Sequence, residues 1–280
     1  MKLPATPPRI LNLRMKAVIV GCALAVFSAG AADTAAPAIS AADLAARLSA
    51  LQQDGSSYVR LKLDVKQPPG TTKAALQLQI KQRRTKSATE VVYQVLWPKE
   101  RKGEAVLLRK TGDRPATGSL FRPPDTIRTL AGEQMKEPLF GSDLTYEDII
   151  ENFLKWEHQA IVGTEVVDRV NCQILESKPG KGQRFSYASV RTWVDARRLV
   201  PLRVEKYMAS GELVRRIDST KVTTDENHSH IPACLRVQGR RQDSVTELDG
   251  SRIVHDVTYA DREFTPEGLN ELKPPASAPK

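Results

Sequence analysis

Apolar and polar side chains alternate with a period of two from Tyr58 onward. Val59, Leu61, Leu63 and Val65 take turns with Arg60, Lys62, Asp64 and Lys66, which marks a strand with one dry and one wet face. After the turn-forming Pro68-Pro69-Gly70, Ala74, Leu76, Leu78 and Ile80 alternate with Ala75, Gln77, Gln79 and Lys81. Val91, Tyr93, Val95 and Trp97 share the dry face of a third run, which Pro98 ends. Three such runs in succession predict an antiparallel meander. Shorter runs predict strands over 104–109, 118–122 and 126–130, separated by Asp113-Arg114-Pro115 and Pro123-Pro124. In the second half, Trp156, His158, Ala160 and Val162 predict one face of a further strand. Others follow over 170–176, 186–195, 201–207, 212–223, 231–241, 244–248 and 252–259. Ser210-Gly211 and Asp249-Gly250 read as hairpin turns between pairs of them.

Helical signals are few. Ser40 caps a predicted helix over 41–51, with Asp43 in its first turn and Leu44, Leu48 and Leu51 along one side. At mid-chain, Gly141 permits a turn and Thr145 with Asp148 approximates a capping box, so a short helix is predicted to start there. Pro266 opens a last short helix through Leu272. A chain with this many antiparallel strands must curl or close to bury one face and limit its edges. The prediction is therefore a mainly β protein, a large curved antiparallel sheet forming an incomplete β-barrel. No linker interrupts 58–272, so that stretch is predicted as a single domain. The segment 32–57 precedes it as a flexible N-terminus and helix, and the Pro-rich 273–280 follows as a disordered tail.

Residues 1–31 read as a cleavable signal peptide. Arg9, Arg14 and Lys16 precede the apolar run from Ala17 to Phe27, and Ala29-Gly30-Ala31 supplies the small residues of a cleavage site. The run is too short to span a membrane. Translation from Met1 and from Met15 both fit this pattern. Ile19-Val20-Gly21-Cys22 also resembles a lipoprotein-processing box, which would leave a lipid on Cys22. The five residues between Lys16 and Cys22 make a short h-region, so the soluble exported form is the expected one. Such a segment predicts export from the cytoplasm. Removing the segment takes four of the 42 basic residues and leaves 38 against 33 acidic ones. That mild positive balance gives only a weak pull toward acidic surfaces.

Candidate chemistry is sparse. Asp225-Glu226-Asn227-His228-Ser229-His230 gathers two imidazoles and two carboxylates, but no third ligand of fixed spacing follows, so neither metal nor cofactor is predicted. No nucleophile elbow, zinc-protease helix or phosphate loop is present, and no catalytic residue is predicted. Arg215-Arg216 and Arg240-Arg241 read as wet strand faces. With 5% aromatic residues the chain lacks the stacking surface of a single-stranded nucleic-acid groove, and no nucleic acid is expected. Cys172 and Cys234 form an even pair in an oxidising compartment. A bridge between them would close a loop of roughly sixty residues, worth about 4 kcal/mol on a chain-entropy model. Two buried or free thiols are the other reading, and spacing does not decide between them.

The mid-chain stretch Gly141-Ser142-Asp143-Leu144-Thr145-Tyr146-Glu147-Asp148 carries more information as a whole than its parts do. It resembles the hallmark segment of the outer-membrane lipoprotein-sorting family, the LolA-like proteins, with Gly141, Ser142, Asp143, Tyr146 and Asp148 as its marks. Leu96-Trp97-Pro98 and 103–108 before it, and 163–168, Trp193-Val194-Asp195, 201–205 and Phe264-Thr265 after it, extend the resemblance over 61–272. The resemblance implies a LolA-like fold with helices covering the mouth and hollow of the unclosed barrel. It implies a monomeric periplasmic carrier or sensor of a lipid or lipoprotein acyl chain, working by binding and release with an envelope delivery partner. The hollow would be lined by Val59, Leu61, Leu63, Leu76, Leu78, Val91, Tyr93, Val95 and Trp97. A non-catalytic structural or signalling module of the envelope, its hollow filled by its own side chains, is the alternative, and a hydrolase with an unrecognised site stands well behind both.

Overall fold

A computed structural model describes residues 39–51, 55–68, 70–183, 185–225, 228–240 and 243–274, with only the backbone of 251 and 252. The expected signal segment 1–31, with Cys22, and Glu226, Asn227 and residues 275–280 of the tail lie outside the described residues. The first element is the predicted helix, α1 (Ala41–Leu51), where Ser40 Oγ accepts from the Asp43 amide at 3.0 Å. Thirteen strands then build one sheet among the described residues.

The strands are β1 (Gly55–Gln67), β2 (Thr71–Arg84), β3 (Ala88–Trp97), β4 (Ala105–Thr111), β5 (Thr117–Arg122) and β6 (Thr126–Ala131), then β7 (His158–Val167), β8 (Val170–Lys178), β9 (Ser189–Asp195), β10 (Val200–Tyr207), β11 (Leu213–Thr224), β12 (His230–Gly239) and β13 (Val245–His255). Their order is β6-β5-β4-β3-β2-β1-β13-β12-β11-β10-β9-β8-β7, antiparallel throughout. The two meanders are thus joined in the centre by their first and last strands, while β6 and β7 are left as edges. The sheet is not closed into a barrel. The chain passes from edge β6 to edge β7 through 132–157, which contains α2 (Tyr146–Ile150) and three short 3-10 turns. This crossing segment, which includes the hallmark residues, lies on the inner face of the sheet.

Its packing explains the dry halves of the alternating strands. Leu63, Val65, Leu76, Leu78, Val91, Val95, Val106 and Leu108 pack against Leu139, Phe140, Tyr146 and Ile150 of the crossing segment. On the other half of the inner face, Leu44 and Leu48 of α1 bury against Leu154, Leu175 and Val194. Each such leucine contributes roughly 1.5–3 kcal/mol by leaving water, which is what holds a short helix of modest intrinsic stability in place.

Several expectations change once the strands are paired. Trp97 is 51% exposed. Leu78 pairs with Val95 but Gln77 pairs with Trp97, so a bulge shifts the alternation and turns Trp97 to the outer face. Trp156 lies outside β7, buried beside Phe185 and Phe153, whereas His158, Ala160 and Val162 are exposed. Asp249-Gly250 makes no hairpin. It lies inside β13, where Leu61 pairs with Gly250 and Arg60 with Arg252, the extra residue forming a bulge. Pairing on both flanks, with β1 and β12, holds this Asp-Gly extended.

Part of the outer face of β2–β4 is not wet either, although Arg60 and Lys62 of β1 and Gln77 of β2 stay exposed. Residues 259–271 fold across it as two 3-10 turns, Asp261–Phe264 and Glu267–Asn270, in place of the single helix expected. Tyr259, Phe264 and Leu269 cover Val92, Leu107 and Phe121. The polar side chains trapped below are all partnered. Tyr58 Oη donates to Gln79 (3.0 Å), Gln79 to Gln94 (2.8 Å), and Gln94 to the Leu269 and Glu271 carbonyls (2.9 and 3.0 Å). Lys81, 2% exposed, is paired with Glu263 at 2.6 Å.

Candidate functional site

The crossing segment is fixed to the sheet by its own acids. Phe140 (φ 50°) and Gly141 (φ 85°) turn the chain through the left-handed region, where glycine is the tolerant residue. Ser142 is buried, its Oγ accepting from the Leu144 amide at 3.3 Å. Asp143 accepts from Ser244 Oγ (2.7 Å) and Thr246 Oγ1 (2.7 Å), and its amide donates to Thr246 Oγ1 (2.8 Å). These contacts anchor one end of the segment to β13.

The other end is anchored by Asp148. The capping box forms as predicted: Thr145 Oγ1 accepts from the Asp148 amide, and Asp148 Oδ2 accepts from the Thr145 amide at 2.7 Å. The Asp148 side chain has no exposed surface and gathers further donors. Tyr187 Oη and Lys206 Nζ donate to Oδ1, each at 2.7 Å, and the Arg215 guanidinium pairs with Oδ2. Arg215 Nε has no hydrogen-bond partner among the described residues. Burial pushes the Lys206 amine down to about 8 and Arg215 down to about 10, with nearby carboxylates, Glu147 among them, opposing each shift. Glu147 takes the Ser186 amide at 2.9 Å and the Ser186 hydroxyl. Arg215 therefore does not belong to a wet strand face. It stands in phase with Ile217 on β11, as Lys206 does with Val204 on β10, and that phase was the available signal. Without the crossing segment, two cations on the dry face have no visible reason.

Beyond these anchors lies a hollow of about 640 Å³. Its floor is Leu139, Leu144 and Ile149 of the crossing segment, over the buried Asp148. Its walls are Val59 and Leu61 of β1, Tyr93 of β3, Ile217 of β11, Leu235 of β12 and Leu248 of β13. The exposed Thr223 and Thr224 stand at its rim, with Asp225, which accepts from the Ser229 amide. Nearly all the apolar wall residues are only half-buried although they face the interior, so their remaining surface faces the hollow. Of the expected lining, Val59, Leu61 and Tyr93 border it. Leu63, Leu76, Leu78, Val91 and Val95 are packed into solid core, and Trp97 points away. The contribution of β11–β13 was not foreseen, because only the pairing of β1 with β13 brings those strands to the same space.

A larger cleft of about 1170 Å³ borders the other side of α2, lined in part by Lys110, Glu151 and Lys178. Two of its lysines are already paired: Lys110 with Glu151 (2.8 Å) and Lys178 with Glu176 (2.6 Å). Among the described residues, no group of histidine, cysteine or carboxylate side chains converges to hold a metal ion. His228 sits on the β11–β12 connection, and His230 is the first residue of β12, paired with Thr224. Cys172 and Cys234 are both free thiols. They lie on β8 and β12, with β9, β10 and β11 between them. At about 4.8 Å per strand spacing, the bridge that spacing left open is out of reach. No described helix is long and apolar enough to cross a membrane.

A family model described as "-like: Uncharacterized protein" matches residues 87–271, about two-thirds of the chain. The chain belongs to that family. No curated protein matches the sequence. Solved structures show the same fold. A DUF1329 family protein from Desulfovibrio piger superposes with a TM-score of 0.75 at 22% identity, over 82% of this chain and 97% of its own. A domain named for outer membrane lipoprotein sorting, from Vibrio parahaemolyticus, gives 0.73 at 16% identity, over 82% and 98%. A LolA superfamily protein from Nitrosomonas europaea gives 0.65 at 18% identity, over 81% and 98%. The chain thus has the LolA-like fold expected from the hallmark segment, mainly β as the alternation predicts.

Proposed function

We propose that the protein is a periplasmic carrier or sensor that holds a lipid or lipoprotein acyl chain in the inner hollow and releases it without covalent chemistry. One observation carries this reading: half-buried apolar side chains from β1, β3, β11, β12 and β13 enclose about 640 Å³ over an apolar floor. That volume lies within the range of small-molecule sites, roughly 300–1,000 Å³. It is about four times the ~150 Å³ that takes up one benzene, so it suits roughly two dozen non-hydrogen atoms. One acyl chain is of that size. Several chains bound at once would have to extend past the rim. The likeness to a domain named for outer membrane lipoprotein sorting supports the same class of cargo, and the signal-like pattern of 1–31 supports export.

The floor has the character of a fixed platform. Asp143 and Asp148 tie it to β10, β11 and β13, so entry is assigned to the rim at Thr223 and Thr224. One observation favours the alternative of a structural envelope module. The half of the inner face under β2–β4 is filled by the protein's own side chains. Native mass spectrometry of the mature protein purified from its own periplasm separates the two. The carrier predicts an adduct of lipid or acyl-peptide mass that organic extraction removes. A clean mass that added lipid leaves unchanged would transfer the assignment to the module.

A further inference from the structure

Among the apolar walls of the hollow, one residue carries a polar group that no described side chain or backbone group engages. Tyr93 borders the hollow from β3. The residues paired beside it, Ile80 on β2 and Val106 on β4, are apolar. So are Val91 and Val95, its neighbours on the same face of its own strand. Among the described residues no group hydrogen-bonds its hydroxyl, whereas Tyr58, Tyr187 and Tyr259 all place theirs, on Gln79, Asp148 and the Ser57 carbonyl. Burial alone raises the Tyr93 phenol above its ordinary range, with no charge or hydrogen bond contributing. Tyr93 is half-buried and its hydroxyl is not sealed from the hollow, so no side chain competes for it when a ligand enters. A phenylalanine would fill the same wall but offer the hollow no donor.

We propose that Tyr93 is the specificity-determining residue of the hollow, its hydroxyl donating to an uncharged oxygen of a single-chain acyl ligand, such as an ester or amide carbonyl. The ligand class is then an amphiphile with an oxygen held among the apolar walls, in preference to a bare hydrocarbon. An ionised head is disfavoured at this depth, because the two nearby buried cations are already opposed. Lys206 and Arg215 both bind Asp148, and Glu147 adds a second negative charge close by. This inference rests on the binding reading above, and its test separates the two.

The experiment compares wild type with Tyr93→Phe, by displacement of the apolar reporter N-phenylnaphthylamine with two probes of matched length, methyl palmitate and heptadecane. The expected result is methyl palmitate bound about five- to tenfold more weakly by the variant, with heptadecane bound equally by both proteins. Because the hydroxyl has no protein partner, the ligand-free variant should melt at or above the wild-type temperature. If methyl palmitate binds both proteins equally, or the variant loses both probes to the same degree, Tyr93 is not the determinant, although the hollow still binds chains. A ligand-free variant that melts clearly lower would show that the hydroxyl serves the fold, and would overturn the inference as well. If wild type binds neither probe, the binding reading itself fails.

Discussion

At the scale of single residues, Asp148 bears more of the site than any other side chain. It caps α2, and it is the shared acceptor of Tyr187, Lys206 and Arg215 in a place closed to solvent. Such a cluster is stable only while its charges match, since an unopposed buried charge costs several kcal/mol. Asp148→Asn keeps the volume but removes the charge from two buried cations. The expected loss is about 3–5 kcal/mol, read as a lower urea midpoint. A loss under about 1 kcal/mol would place the cations elsewhere and undo the anchoring described for the crossing segment. Thr145 and Asp148 were legible in the sequence as a capping pair because capping is a local contact of three residues. Lys206 and Arg215 were not, because their partner lies some sixty residues away.

At the scale of elements, the C-terminal strap is where the pattern misled most. Gln79, Lys81 and Gln94 alternate with apolar residues and look solvated, yet residues 259–271 seal them in. The strap turns tightly at Gly268, where an added Cβ would meet the Arg262 carbonyl oxygen at 1.9 Å and its carbon at 2.9 Å. Gly268→Ala is therefore expected to lift the strap and cost about 1–3 kcal/mol by overpacking. Faster hydrogen exchange at the β2 and β3 amides beneath it would report the lifting. Unchanged exchange would mean that the turn has slack the packing does not suggest. A strand's alternation reveals that its two faces differ, but a segment some 180 residues later in the chain decides which polar residues stay wet.

At the scale of the whole molecule, the joining of β1 to β13 turns two meanders into one wall around a shared space. The hollow exists because the crossing segment packs down on β2–β4 and α1 on β8 and β9, leaving the strands between them uncovered. The same long-range order keeps Cys172 and Cys234 on strands with three others between them. The denatured, unreduced protein cleaved after Ala31 is accordingly expected to react with two equivalents of a thiol reagent, and its melting temperature should not move with reductant. Fewer than two reactive thiols would contradict the strand order.

The sequence by itself determined the strands, the first helix, the capped turn at Thr145 and the mainly β class. These follow from side-chain period and from contacts within a few residues, both written locally. The hallmark segment also pointed correctly to the LolA-like fold. Tertiary structure alone decided which lining residues meet open space, which are packed solid, and that Trp97 faces outward past a bulge. It also drew Asp249-Gly250 into a continuous strand, set Arg215 beneath the floor, and left the Tyr93 hydroxyl alone in the hollow. Each of these depends on which distant strand lies alongside, and strand partners many residues apart leave no mark in the local alternation of a single sequence.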